Sequence, residues 1–152
     1  MTEINHDFLL LNKLEHAYTD YVKRINNPNA IQIHDDLMNY IGDSLKGVTC
    51  YNPARKMEVQ KGLNFYGPTV IKNDGAKDAE RVLSAWVNLF SSGPKRIQLT
   101  GTYSSTEGKP GIGSYSSITI DRDEIVDKLK TVASYANRVA SSDELFILHL
   151  GI

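Results

Sequence analysis

The chain of 152 residues contains one cysteine, Cys50, and so lacks the means to form an intrachain disulfide. Such scarcity is typical of proteins from a reducing compartment. The sequence also lacks any stretch approaching the roughly 20 apolar residues of a membrane span, and residues 1–7 lack the basic start of a secretory signal. We therefore expect a cytoplasmic protein in which Cys50 is a buried, inert thiol.

Positively and negatively charged residues are nearly equal in number, and the common catalytic motifs are missing. Lys and Arg number 17 and Asp and Glu 18, for a net charge of −1, which gives no general attraction to nucleic acid or an anionic membrane. None of the four histidines has zinc-site spacing. Gly108 and Lys109 precede Pro110 rather than the Ser or Thr of a phosphate-binding loop. We expect no metal, no cofactor, no enzyme activity, and no nucleic-acid or membrane partner.

The middle of the chain begins with two segments that have the pattern of β-strands. Residues 48–51 suggest a short strand, and apolar residues alternate with polar ones over 57–65, which predicts a second strand with a bulge at Gly62. Pro has no amide hydrogen to donate, so Gly67 and Pro68 predict the end of that pairing.

A helical apolar stripe follows. Asn73 or Asp74 suits its N-cap, and the Ser-Ser-Gly-Pro sequence at 91–94 suits its end. Trp86 lies on the apolar face of this predicted helix. We therefore expect Trp86 in the core.

The N-terminal part also shows apolar residues at helical spacing. Residues 8–25 predict a long amphipathic helix, and residues 30–41 predict a second one. The link between them is short, which favours an antiparallel pair. We therefore predict a helical pair over 1–47.

The remaining pattern fixes the predicted topology. From Met57 onward the order is strand, helix, strand, strand, helix, strand, over 57–65, 73–91, 96–100, 115–120, 121–140 and 145–148. This is the βαββαβ order of a ferredoxin-like fold, with helices on one face of an antiparallel sheet. The continuous apolarity of 145–148 predicts a strand between two neighbours. We predict one α+β domain over 1–152, with an α+β sandwich at 48–152 after the helical pair.

Two histidine positions invite a functional interpretation. His34, Asp35 and Asp36 are adjacent, but on a helix neighbouring side chains point about 100° apart and do not readily share an ion. We interpret them as a solvated helix face. His149 lies in the predicted buried last strand, so we expect a hydrogen-bonded core histidine. The acidic run from Asp121 is interpreted as a helix cap.

Three stretches of the chain carry a family resemblance. Residues 62–71, then Trp86 with 89–90, and then 97–101 resemble the small immunity proteins of bacterial polymorphic-toxin and contact-dependent growth inhibition systems. The resemblance spans the middle third to half of the chain. Those proteins share a role, the blocking of one cognate toxin by direct binding, more than a fold. The resemblance implies a stoichiometric inhibitor whose partner is a toxin domain, often a nuclease, and it transfers no functional residue.

Candidate contact residues come from the surface. Tyr103, Glu107 and Lys109 lie on the long polar loop at 102–114, and Asp35 and Asp36 lie on the predicted second helix, where they would imitate phosphates for a basic nuclease. Tyrosine suits interfaces because it offers large contact area at low entropic cost.

Two other functions stay open. One is a small-molecule-binding or enzymatic ferredoxin-like domain, with its ligand between the sheet and the N-terminal helices. The other is a homo-oligomer that pairs through an exposed sheet edge.

Overall fold

The computed structural model describes residues 4–22, 27–105, 108 and 111–152. The protein has an α+β fold. The strands are β1 Asn5–Asn12, β2 Ile31–His34, β3 Thr49–Asn52, β4 Glu58–Lys61, β5 Pro68–Ile71, β6 Arg96–Ser105, β7 Gly113–Asp121 and β8 Leu145–Leu150. The helices are α1 Asp35–Ile41, α2 Asn73–Ser91 and α3 Arg122–Ala140, with short 3-10 helices at Tyr18–Val22, Gly42–Leu45 and Pro53–Arg55.

Six strands form one antiparallel sheet in the order β2-β1-β8-β5-β3-β4, while β6 and β7 form a separate antiparallel pair. β8 lies between β1 and β5, and its residues 146–149 are fully buried. The prediction of a covered last strand with two neighbours is therefore confirmed.

The two faces of the large sheet differ in their cover. Helices α2 and α3 pack on each other and on one face, where Phe8, Ile71 and Ile147 join the main core. On the other face a smaller cluster forms around Phe146, partly covered by Tyr18. None of the helices in the described ranges is both long and apolar enough to cross a membrane.

The predicted N-terminal helical pair is wrong. Residues 5–12 form β1, in which Phe8 joins the main core and Leu9 joins the cluster on the opposite face. Because both faces of β1 are covered, apolar residues occur at consecutive positions along it. Some of them are therefore three or four residues from other apolar residues, and that spacing also predicts a helix. The predicted second helix begins only at Asp35, because residues 31–34 pair with β1 as β2.

The ferredoxin-like order is also not the one observed. The strands predicted at 96–100 and 115–120 as part of the main sheet extend over 96–105 and 113–121, and in the described residues they pair only with each other. Their places are filled by β3 and by β5, a strand that the prediction missed because it begins at Pro68. Pro is tolerated at the first residue of a strand, so it does not end the pairing there. The strand predicted over 57–65 is shorter and covers only β4.

The long helices agree with the sequence more closely. α2 and α3 span the predicted segments, and the Asp121 side chain caps α3 by accepting a hydrogen bond of 2.9 Å from the Glu124 amide. The N-cap of α2 is Lys72, not Asn73 or Asp74, and no side chain caps it. Trp86 is only half-buried at the edge of the core, where its indole N–H donates to Ser44 Oγ at 2.8 Å.

Candidate protein-binding surface

β6 and β7 form a two-stranded ribbon that is anchored at one end. Near its base Ile97 pairs with Ile120 and Leu99 with Ile118, and all except Ile118 pack on or within the main core. Beyond this base the ribbon leaves the core. We call residues 101–105 and 113–117 the arm; every one of them except Gly101 is exposed.

A bulge lies where the arm begins. Thr100 pairs with Ser117, and the next register pair is Tyr103 with Tyr115, so Gly101 and Thr102 together oppose Ser116. A Cβ atom at Gly101 would overlap Ser116 Oγ. Glycine therefore permits the bulge, and the extra residue sets Tyr103 directly across from Tyr115.

The two tyrosines form an exposed aromatic pair. Their ring centroids lie 5.0 Å apart in a T-shaped arrangement, yet the residues remain 48% and 64% exposed. The Tyr103 ring also lies over Gly113, where an added Cβ would come within 2.5 Å of the tyrosine hydroxyl oxygen. The backbone thus holds two large amphipathic side chains in place on a surface that faces solvent.

The described part of the ribbon is uncharged between its ends. Arg96 and Asp121 pair at the base, and between them residues 97–105, 108 and 111–120 include no Lys, Arg, Asp or Glu. Tyr, Ser, Thr and Gly predominate there instead. That composition is typical of protein-binding loops, where tyrosine supplies contact area and small polar residues supply adaptable hydrogen bonds.

A groove separates the start of the arm from α1. Its volume is about 280 Å³, and Asp36, Asn39 and Tyr40 line it from the side of the helix. Thr100, Thr102 and the residues between and opposite them form the other wall. The carboxylate of Asp36 is therefore a charged group at the rim of an otherwise uncharged surface.

The structure separates the two aspartates that the sequence grouped. Asp35 turns inward: its Oδ1 lies 2.7 Å from His6 Nε2, and its Oδ2 accepts from Asn39 Nδ2 at 2.9 Å. Asp36 is exposed, and its amide donates to His34 Nδ1 at 3.1 Å, which makes His34 the cap of α1. Describing all three as a solvated face is therefore wrong for Asp35.

The remaining candidate residues have different outcomes. Tyr103 lies in the arm but is not among the residues that line the groove containing Asp36, while Glu107 and Lys109 fall outside the described residues. Sequence reasoning missed Tyr115 as a site residue. The strand register places Tyr115 opposite Tyr103 only when the bulge in β6 is taken into account. Gly101 is the one signal in the sequence for that bulge.

Behind α1 lies a buried chain of polar groups. His149 Nε2 is 2.8 Å from His6 Nδ1, and both rings are fully buried. Because His6 Nε2–H donates to the Asp35 carboxylate, Nδ1 of neutral His6 accepts from His149 Nε2–H. Burial, with a smaller contribution from the neighbouring His6 imidazole, lowers the pKa of His149 to about 3. The expectation of a hydrogen-bonded core histidine is confirmed, and the chain ties β8 through β1 to α1.

Cys50 is buried as expected. Burial raises the pKa of its thiol to about 12, with the nearby Asp74 carboxylate adding to the effect. The thiolate is the nucleophile in cysteine chemistry, so this thiol is unreactive near neutral pH.

Nothing in the described ranges brings together three or more His, Cys, Asp or Glu side chains that could hold a metal ion. The ligand space expected between the sheet and an N-terminal helix pair has no counterpart, because β1 and β2 belong to the sheet itself. No protein-family model, curated protein or solved structure matches the chain significantly.

Proposed function

We propose that this protein binds a cognate bacterial toxin domain in the cytoplasm and neutralises it by direct contact, with no catalysis of its own. The observation that carries the proposal is the exposed Tyr103–Tyr115 pair, held on an arm outside the core. The resemblance of residues 62–71 and 97–101 to immunity proteins supplies the class of partner.

Aromatic side chains dominate the binding free energy of many interfaces. Tyrosine is enriched among residues whose truncation to alanine costs about 2 kcal/mol or more, and such residues lie near the centre of the contact. Here the ring of Tyr103 is already fixed by Gly113 and by its partner ring. Less side-chain entropy is lost on binding when the residue is ordered beforehand.

Charge enters at the rim of the proposed contact. Asp36 is exposed beside the arm, where a carboxylate would steer a basic partner such as a nuclease and raise the association rate. Asp35 has no part in this proposal, since its carboxylate is bound to His6. Reversing the charge of Asp36 alone is therefore the substitution that tests this electrostatic contribution to binding.

The test has two stages. Tagged full-length protein is used to capture partners from lysate of the source bacterium, and the captured species is identified by mass spectrometry. The captured toxin domain is then expressed with the wild-type protein, with Tyr103→Ala/Tyr115→Ala, or with Tyr66→Ala. Tyr66 is 80% exposed and lies outside the arm, which makes it a matched control.

We expect wild type and the Tyr66 variant to restore growth and the double variant to fail. Capture of no protein at a one-to-one ratio would contradict the proposal. Full protection by the double variant would contradict the assignment of the arm as the contact.

A further inference from the structure

The outer edge of β7 lacks the protection that sheet edges normally have. Unpaired strand edges attract other strands, and proteins guard them with short length, charge, proline or bulges. Residues 113–120 contain no charged residue and no proline, and β7 pairs with nothing but β6 among the described residues.

The other edges of the protein are guarded. In the main sheet the edge strands β2 and β4 have four residues each, and β4 carries Glu58 and Lys61. In the ribbon, the outer edge of β6 is interrupted by the bulge at Gly101 and Thr102. Among the edge strands in the described ranges, only β7 combines a regular run longer than four residues with the absence of charge over residues 113–120.

We propose that β7 pairs with β7 of a second copy of this chain, antiparallel and across a two-fold axis. Such pairing would join two ribbons into one four-stranded sheet. A two-fold interface sets each surface patch against itself, so charges near the axis would oppose like charges and destabilise the contact. The uncharged segment around Ser116 and Ser117 is free of this repulsion.

Pairing also compensates a weakness of the isolated ribbon. Two-stranded ribbons are marginally stable in water, and additional strands stabilise them. Because the axis is perpendicular to the joined sheet, the two Tyr103–Tyr115 pairs lie on the same face. This inference does not depend on the toxin, and it holds or fails independently of the proposed function.

The first measurement is the mass of the full-length protein by sedimentation velocity over a wide concentration range. We expect a monomer–dimer equilibrium for wild type. Ser117→Lys on β7 should shift it to monomer, while Ser104→Lys on β6 should leave the dimer. A wild-type protein that stays monomeric over the whole concentration range would overturn the proposal. It would do so even if the β7 edge paired instead with a strand of another protein.

The second measurement locates the axis. Single cysteines are placed at 114, 115, 116 and 117 in turn and oxidised mildly, with wild type as the control for buried Cys50 and Ser104→Cys as the control for β6. Residues facing their own copies near the axis meet the Cα separation of about 4.4–6.8 Å that a disulfide needs. We expect an interchain disulfide that peaks at one β7 position. Equal crosslinking by Ser104→Cys, or none from β7 in variants with native circular dichroism, overturns the proposal.

Discussion

His149 shows how one buried side chain makes the stability of the whole protein depend on pH. The pKa of His149 is about 3 in the folded protein, against about 6.5 in an unfolded chain. Between these values the unfolded state binds a proton that the folded state does not. The free energy of unfolding therefore rises with pH across this window and is lost as the pH falls through it.

We predict that His149→Gln flattens this pH dependence, because glutamine can still donate to His6 but does not titrate. The measurement is the urea midpoint between pH 3 and pH 6.5. His16→Gln, at a partly exposed histidine, should keep the wild-type slope. Equal slopes for wild type and His149→Gln would show that another group controls the acid sensitivity.

Gly113 controls the position of Tyr103. We predict that Gly113→Ala displaces the Tyr103 ring and the adjacent β6 backbone, since the new Cβ would lie 2.5 Å from both the Tyr103 hydroxyl oxygen and the Ser104 carbonyl oxygen, and that the tyrosine near-ultraviolet circular dichroism changes. An aromatic pair of this geometry contributes about 0.5–1.5 kcal/mol. Gly47→Ala is the control, because nothing lies within 4 Å of its added Cβ. An unaltered tyrosine spectrum in Gly113→Ala would contradict this account of the pair.

The Cys50 thiol can report on the opening of the folded structure. With a thiol pKa of about 12 in a fully buried site, we predict that Cys50 reacts with a disulfide reagent only as fast as the protein unfolds. The engineered thiol of Ser104→Cys, on the exposed arm, should react at once. Rapid modification of wild type under native conditions would contradict the burial of Cys50.

At the scale of elements, the arm and the core have separate tasks. We predict that Tyr103→Ala/Tyr115→Ala lowers the free energy of unfolding by no more than about 1.5 kcal/mol, the upper end for an aromatic pair, since both residues are exposed. Ile97→Ala, at the base of the same ribbon, should cost about 2–4 kcal/mol because Ile97 is buried in the core. Denaturant unfolding of both variants checks this. A double tyrosine variant as unstable as Ile97→Ala would show that the arm is part of the core.

The sequence correctly predicted those elements whose apolar pattern fits only one type of secondary structure. α2 and α3 each have one apolar stripe and one polar face, and β8 is too short and apolar for anything but a covered strand. β1 was mistaken for a helix because both of its faces are buried, and β5 was missed because Pro68 at its first residue resembles a stop. Which strands share a sheet depends on contacts distant in sequence, as between β8 and β1.

The same limit applies to the candidate site. Tyr103 and Asp36 could be proposed from the sequence because exposed loop tyrosines and helix-start acids are visible locally. The inward turn of Asp35 depends on His6, which is distant in sequence and belongs to a strand predicted as helix. The partnership of Tyr115 with Tyr103 depends on a single extra residue in β6.

At the scale of the whole molecule, the proposed binding surface lies apart from the groups that hold the fold together. The polar chain from His149 to Asp35 and the apolar core hold the sheet and helices, while the arm presents an uncharged, tyrosine-bearing surface outside them. If the arm is the contact as proposed, substitutions on it should alter affinity and leave the fold unchanged.

The most direct test of this account is calorimetric titration of the captured toxin domain with wild type, Tyr103→Ala/Tyr115→Ala and Tyr66→Ala. We predict one-to-one binding for wild type and the Tyr66 variant, and an affinity at least about 30-fold lower for the double variant, which corresponds to roughly 2 kcal/mol. Equal affinity for all three proteins would show that the arm is not the binding surface.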